Sequence, residues 1–142
     1  MRNITLLAAA ALLVVPVLDG FAQEEEAAVD PQYTWDLTEL YPSLEAWDRA
    51  RLEVMAEYDA IEARRGTLGD SADSLYQAYR HVSDTLKKAG RVAVYASLNS
   101  HEDMRVTETQ ERDQLGDILF ARFGEATAWM QPELLAVGRE VI

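Results

Sequence analysis

Residues 71–100, SADSLYQAYRHVSDTLKKAGRVAVYASLNS, read as one long helix. Leu75, Tyr79, Val82, Leu86, Ala89, Ala93 and Ala96 recur alternately four and three residues apart, which holds one apolar stripe on one side of a helix. Towards the end, Val92, Ala93, Val94, Tyr95, Ala96 and Leu98 carry that character round the circumference. A helix apolar all round has to be covered all round, so this segment is expected at the centre of a bundle. Gly90, inside it, costs about 1 kcal/mol against alanine. The expected compensation is close approach of a neighbouring helix, with a kink as the alternative.

The flanks supply the neighbours. Upstream, Trp35, Leu37, Leu40 and Tyr41 are too many large apolar groups for a free linker and are expected to be pinned against the bundle. Pro42 restricts Tyr41 to extended backbone, and Ser43 caps a helix with Leu44, Trp47, Ala50, Val54, Tyr58 and Ile61 at helical spacing. Arg64-Arg65 and Gly66 are expected to close it. A turn over Thr67–Asp70 leads into the central helix, with Asp70 or Ser71 as its cap.

Downstream, Thr107-Glu108-Thr109-Gln110 has the spacing of a capping box. The helix it opens carries Leu115, Leu119, Phe123, Ala126 and Met130, widened by Ile118 and Trp129. Its first two turns hold almost no apolar residue and are expected to project into solvent or against an absent part. Pro132 begins a fourth helix with Leu134, Leu135, Val137, Val141 and Ile142 apolar; the break on two apolar residues suggests truncation. No strand pattern and no internal repeat is present. The fold class is therefore all-α: an antiparallel bundle of three long helices plus the start of a fourth, behind a non-helical leader.

That leader has two parts. After Arg2, Ile4 to Leu18 is almost wholly apolar; as a helix it spans about 22 Å, short of the roughly 30 Å hydrocarbon core. Pro16 interrupts it and Gly20-Phe21-Ala22 follows, the layout of a secretory signal peptide over 1–22, cleaved between Ala22 and Gln23. An uncleaved N-terminal anchor is the alternative. Export to the periplasm or outside the cell follows, with no stable membrane anchor after cleavage. Residues 23–32, with Glu24-Glu25-Glu26, read as an acidic flexible leader, and 33–142 as the helical domain.

The chain has 142 residues, 25 acidic and 13 basic, for a formal net charge of −12. That excludes nucleic acid as a partner, because basic side chains must replace phosphate counterions. Lys87, Lys88 and Arg91 read as the wet face of the central helix. No cysteine is present, so disulfides, thiolate zinc sites and cysteine nucleophiles are excluded. His101-Glu102 begins a zinc-peptidase helix, but the second histidine would fall at Arg105, a cation where a ligand is needed. His81 and His101 read as structural or solvent-facing. Gly69-Asp70-Ser71 has the look of an esterase nucleophile block, yet Ser71 follows a helix and serves as a cap. No catalytic or metal-binding residue is assigned, and no substrate-binding residue is identifiable.

Trp35-Asp36-Leu37-Thr38-Glu39-Leu40-Tyr41-Pro42, then Leu68-Gly69-Asp70-Ser71, then Val94-Tyr95-Ala96-Ser97-Leu98 with His101-Glu102-Asp103, and finally Gln131-Pro132-Glu133-Leu134-Leu135, stand in an order that resembles the N-terminal region of oligoendopeptidase F-like zinc metallopeptidases of the thimet-oligopeptidase class. The resemblance implies a helical wall or cap of a deep cleft that admits oligopeptides. It also implies zinc held by a His-Glu-x-x-His helix and a further glutamate, residues that have no counterpart here. The chain itself is expected to bind no catalytic zinc and to be inactive, with zinc and the oligopeptide substrate belonging to the full-length protein. The alternative is a complete, exported, non-enzymatic helical protein that binds a partner through its amphipathic faces.

Overall fold

The computed structural model describes residues 34–138. The expected signal peptide, its Ala22/Gln23 cleavage point, the acidic leader, and Val141 and Ile142 lie outside the described residues. A single 3-10 turn (Leu37–Glu39) precedes four helices: α1 (Leu44–Glu62), α2 (Ala72–Glu102), α3 (Thr107–Thr127) and α4 (Met130–Ala136). There is no strand among the described residues.

Local chemistry sets the ends. Ser43 caps α1 by accepting from the Ala46 N–H at 3.2 Å. Ser71, rather than Asp70, caps α2, accepting from the Ser74 N–H at 3.0 Å. α1 stops at Glu62, earlier than expected, so Arg64 and Arg65 fall in a turn beyond its last carbonyls; Gly66 there takes φ +89°, a left-handed conformation that favours glycine. The capping box at the start of α3 does not form. Val106 is the cap residue, one position early, which puts Thr107 and Gln110 out of register. Thr109 instead donates back to the Val106 carbonyl at 2.8 Å, and the Gln110 amide donates to the Met104 carbonyl.

The three long helices pack antiparallel in sequence order. Early α1 meets late α2, where the Trp47 indole N–H donates to the Val92 carbonyl at 2.9 Å. α2 meets α3 in the reverse sense: Ala93 faces Gly116, and the Arg112 guanidinium donates to Asn99 Oδ1 at 3.1 Å. α1 closes on α3 where the Tyr58 hydroxyl donates to the Leu119 carbonyl at 3.1 Å and its ring meets Phe123 edge-on at 5.9 Å. The first turns of α3, expected to project into solvent or against an absent part, are engaged through buried Thr109 and through Arg112.

Close approach occurs at Gly116, not at Gly90. A Cβ at 116 would lie 3.3 Å from both Cα and Cβ of Ala93, whereas Gly90 has open space and α2 runs through it without interruption.

The buried line of α2 is also rotated from the expected stripe. Ala78, Thr85, Ala89, Val92, Tyr95, Ala96 and Ser100 are buried, while Tyr79, Leu86 and Val94 are exposed. Small residues dominate the buried line because the neighbouring helices come close, and the bulkier side chains stand to one side. The expectation that α2 is covered all round therefore fails on that side. Leu37, Leu40 and Tyr41 pack against the core as expected, but Trp35 and Ile118 are exposed. Leu68 is fully buried although it sits in the α1–α2 turn, where no periodicity marks it.

Two stability tests follow. Gly116→Leu is expected to cost about 1–3 kcal/mol by overpacking against the α2 backbone, and Gly90→Ala to add about 0.5–1 kcal/mol by removing a helical glycine, both read as shifts of the urea midpoint of the 142-residue chain. Burial pushes the Tyr58 phenol up to about 12. A raised folded-state value gives stability that is complete below the unfolded phenol's ~10 and is lost as pH climbs through about 12. Tyr58→Phe is expected to cost about 1 kcal/mol at neutral pH and to flatten that alkaline loss in a pH series of melts.

Candidate functional site

The polar groups that sequence reading singled out are organised around three side chains that hold irregular backbone in place. The first is Arg91 of α2. Its guanidinium donates to the carbonyls of Glu39 and Leu40, at 2.7 and 2.8 Å, and lies 5.5 Å from the Tyr41 ring centroid. Tyr41 meets Tyr95 edge-on at 5.5 Å, and Tyr95 stacks on Trp47 at 6.2 Å. Arg91 is exposed, as expected of the wet face, and it also collects carbonyls that the 3-10 turn leaves unpaired. The second is Glu102 at the end of α2, whose Oε1 accepts from the Trp35 N–H at 2.7 Å.

The third is Glu133, in the first turn of α4. Its Oε2 accepts from the Gly66 N–H at 2.7 Å and its Oε1 from the Leu68 N–H at 2.8 Å. One carboxylate bridges two backbone donors of the α1–α2 turn, a use of charge-assisted bonds that secures both segments at once. The separate sequence blocks thereby resolve into contacts: the Trp35–Pro42 block lies on the α2 blocks, and the Leu68–Ser71 block adjoins the Gln131–Leu135 block.

A further polar cluster lies between α1 and α2. Glu57 Oε2 accepts from the Thr85 hydroxyl at 2.7 Å, Glu57 Oε1 pairs with the Lys88 ammonium, and His81 Nε2 stands 3.5 Å from Oε2. Partial burial pushes the Glu57 carboxyl up, but the hydrogen bonds from Lys88 and Thr85 outweigh it and hold the group below its ordinary value. A carboxylate kept ionised and bound by its own neighbours is a poor general base. Asp103 is held down to about 2 by its side-chain and backbone hydrogen bonds from Arg105, so it is no proton donor near neutrality.

The other singled-out residues are not brought together. His81 and His101 are twenty residues apart on one uninterrupted helix, about 30 Å by helical rise, and cannot share an ion. Among the described residues no group of three or more histidines, aspartates or glutamates could hold a metal. Ser71 Oγ is a helix cap that donates to Ser74 Oγ at 3.0 Å, with no histidine partner. The surface grooves include one of about 310 Å³ between α1 and α3, bordered by Met55, Tyr58, Glu62 and Arg122, and one of about 210 Å³ between α2 and α3, bordered by Val94, Asp113 and Phe120. Neither places a nucleophile beside a base. No helix among the described residues is long and apolar enough to cross a membrane.

Sequence reading missed Arg91, Glu102 and Glu133 as fastening groups. Their partners are backbone N–H and C=O groups, which every residue type carries and which leave no mark in the sequence.

No family profile matches the chain, and no solved structure does. Curated proteins do. The chain is 30% identical over 114 residues to the plasmid oligoendopeptidase F of Lactococcus lactis subsp. cremoris, covering 80% of this chain and 19% of that protein. It is 29% identical over 113 residues to oligopeptidase PepF of Bacillus subtilis strain 168, covering 80% and 17%, and 30% identical over 112 residues to group B oligopeptidase PepB of Streptococcus agalactiae, covering 79% and 19%. The chain spans about a fifth of the length of the curated relatives it matches.

Glu133→Ala leaves two N–H groups of the α1–α2 turn without their acceptor. It is expected to cost about 2 kcal/mol, read from denaturant unfolding, with faster amide exchange at Gly66 and Leu68; unchanged exchange there would show that Glu133 does not hold the turn.

Proposed function

We propose that this chain, a relative of oligoendopeptidase F over four-fifths of its length, is the N-terminal helical domain of an exported oligopeptidase, walling the cleft in which oligopeptides are cleaved elsewhere in the same polypeptide. One observation carries the reading: the similarity runs through 80% of this chain yet accounts for only 19% of the relative. The polar residues present support a structural part in that protein. Glu133 and Arg91 bind main-chain groups, and Glu57 binds Thr85 and Lys88. Zinc, as the metal of the whole enzyme, would take its ligands from residues outside this chain. Export rests on the apolar segment Ile4–Leu18 and the small residues before Gln23.

The test is to read the coding frame beyond Ile142 and to assay the gene product. Several hundred further residues containing His-Glu-x-x-His, chelator-sensitive cleavage of oligopeptides, and a secreted product starting at Gln23 are the expected results. A stop codon at that point, with a stable product that cleaves nothing, would replace this reading with a non-enzymatic partner-binding protein.

A further inference from the structure

α2 carries more apolar surface than α1 and α3 cover. Beside its buried line, a second face carries Tyr76, Tyr79, Leu86, Gly90, Val94 and Ser97 at helical spacing, with Ser83 among them and Lys87 along its edge. Tyr76 is 58% exposed, Tyr79 42%, Leu86 41% and Val94 49%. The face extends about 27 Å along the helix from Tyr76 to Val94. It continues across the α2–α3 groove onto Phe120, 44% exposed, which borders that groove with Val94. The charged residues Arg80 and Asp84 lie beyond Lys87 on its flank, where Asp84 pairs with both cations at 3.8 and 3.1 Å. Single exposed apolar side chains are ordinary, but four large ones on one side of a helix, continued by Phe120 on its neighbour, mark a surface that is normally covered.

We propose that this face of α2, with Phe120 of α3, is the seam against which the remainder of an oligoendopeptidase F-like polypeptide packs. The proposal rests on the reading in the preceding subsection. Two observations choose this occupant. The relatives carry roughly four times as much further chain as the matched stretch, covalently continuous with it, and a tethered partner needs less contact energy to stay docked than a free one. The groove is edged on the α3 side by Asp113 and Asp117, neither of them ion-paired among the described residues. The covering surface is therefore apolar with a basic residue at its rim. A second copy of this chain fits poorly, because each copy carries a formal charge of −12 and would set its own acidic rim against another.

The chain has no cysteine, so single substitutions report position by position. Leu86→Cys and Val94→Cys test the seam, and Glu108→Cys, exposed on the outer surface of α3, is the control. Maleimide labelling, resolved peptide by peptide by mass spectrometry, is compared between the 142-residue chain and the full product of the coding frame, with helicity checked by circular dichroism. The expected result is fast labelling of all three in the short chain, and at least tenfold slower labelling at 86 and 94 alone in the full product. Equal rates at 86 and 94 in both overturn the seam, while a His-Glu-x-x-His motif in the same frame leaves the peptidase reading standing. Concentration-dependent protection in the short chain, with a dimer by light scattering, overturns it in favour of a second copy. A frame that ends at Ile142 overturns both readings together.

Discussion

α3 approaches α2 most closely at position 116, which carries no side chain. A methyl group there would stand 3.3 Å from the Cα and Cβ of Ala93, so the two backbones meet with nothing larger than hydrogen and a methyl group between them. That spacing brings the Leu119 carbonyl within reach of the Tyr58 hydroxyl and Arg112 within reach of Asn99. It also explains why the buried line of α2 is built from Ala78, Thr85, Ala89 and Ala96. Helices this close are held by dispersion over many short contacts, and bulky side chains are displaced to where a neighbour is absent.

The parts of the chain outside the long helices are fastened by a different chemistry. Arg91, Glu102 and Glu133 each bind main-chain groups of a segment that has no ladder or helix to satisfy it. Such groups must be paired or remain in water, and a charged partner gives the stronger bond. The sequence blocks through which the chain resembles oligoendopeptidase F are thereby blocks that touch: the tryptophan-to-proline segment on α2, and the α1–α2 turn on α4. Their contacts fix where irregular segments enter and leave the bundle.

The wide apolar arc of α2 unites the fold with the proposed seam. Tyr79, Leu86 and Ala93 fall in the middle of that arc, Ala78, Thr85 and Val92 on one edge, and Tyr76 and Val94 on the other. α1 and α3 bury one edge and reach the middle, and the remaining edge faces outward. Reading the stripe from its middle gave a correct helix with a rotated core, because periodicity locates an apolar side but not how much of it two neighbours can cover. Leu68 escaped for the opposite reason: it is buried from a turn, where there is no period to betray it.

Among the described residues, the four helices, their order, the Ser43 cap and the absence of strand were all legible in the sequence, since spacing and capping are local properties that each segment carries by itself. The likeness to oligoendopeptidase F was legible too, from the order of four short blocks, and the curated relatives at about 30% identity bear it out. Which glycine admits a neighbouring backbone, which edge of α2 is buried, and that Glu133 rather than any capping box secures a helix junction were decided only by the tertiary structure. Each of those depends on distances between segments far apart in the chain, and on backbone groups that are identical at every position of the sequence.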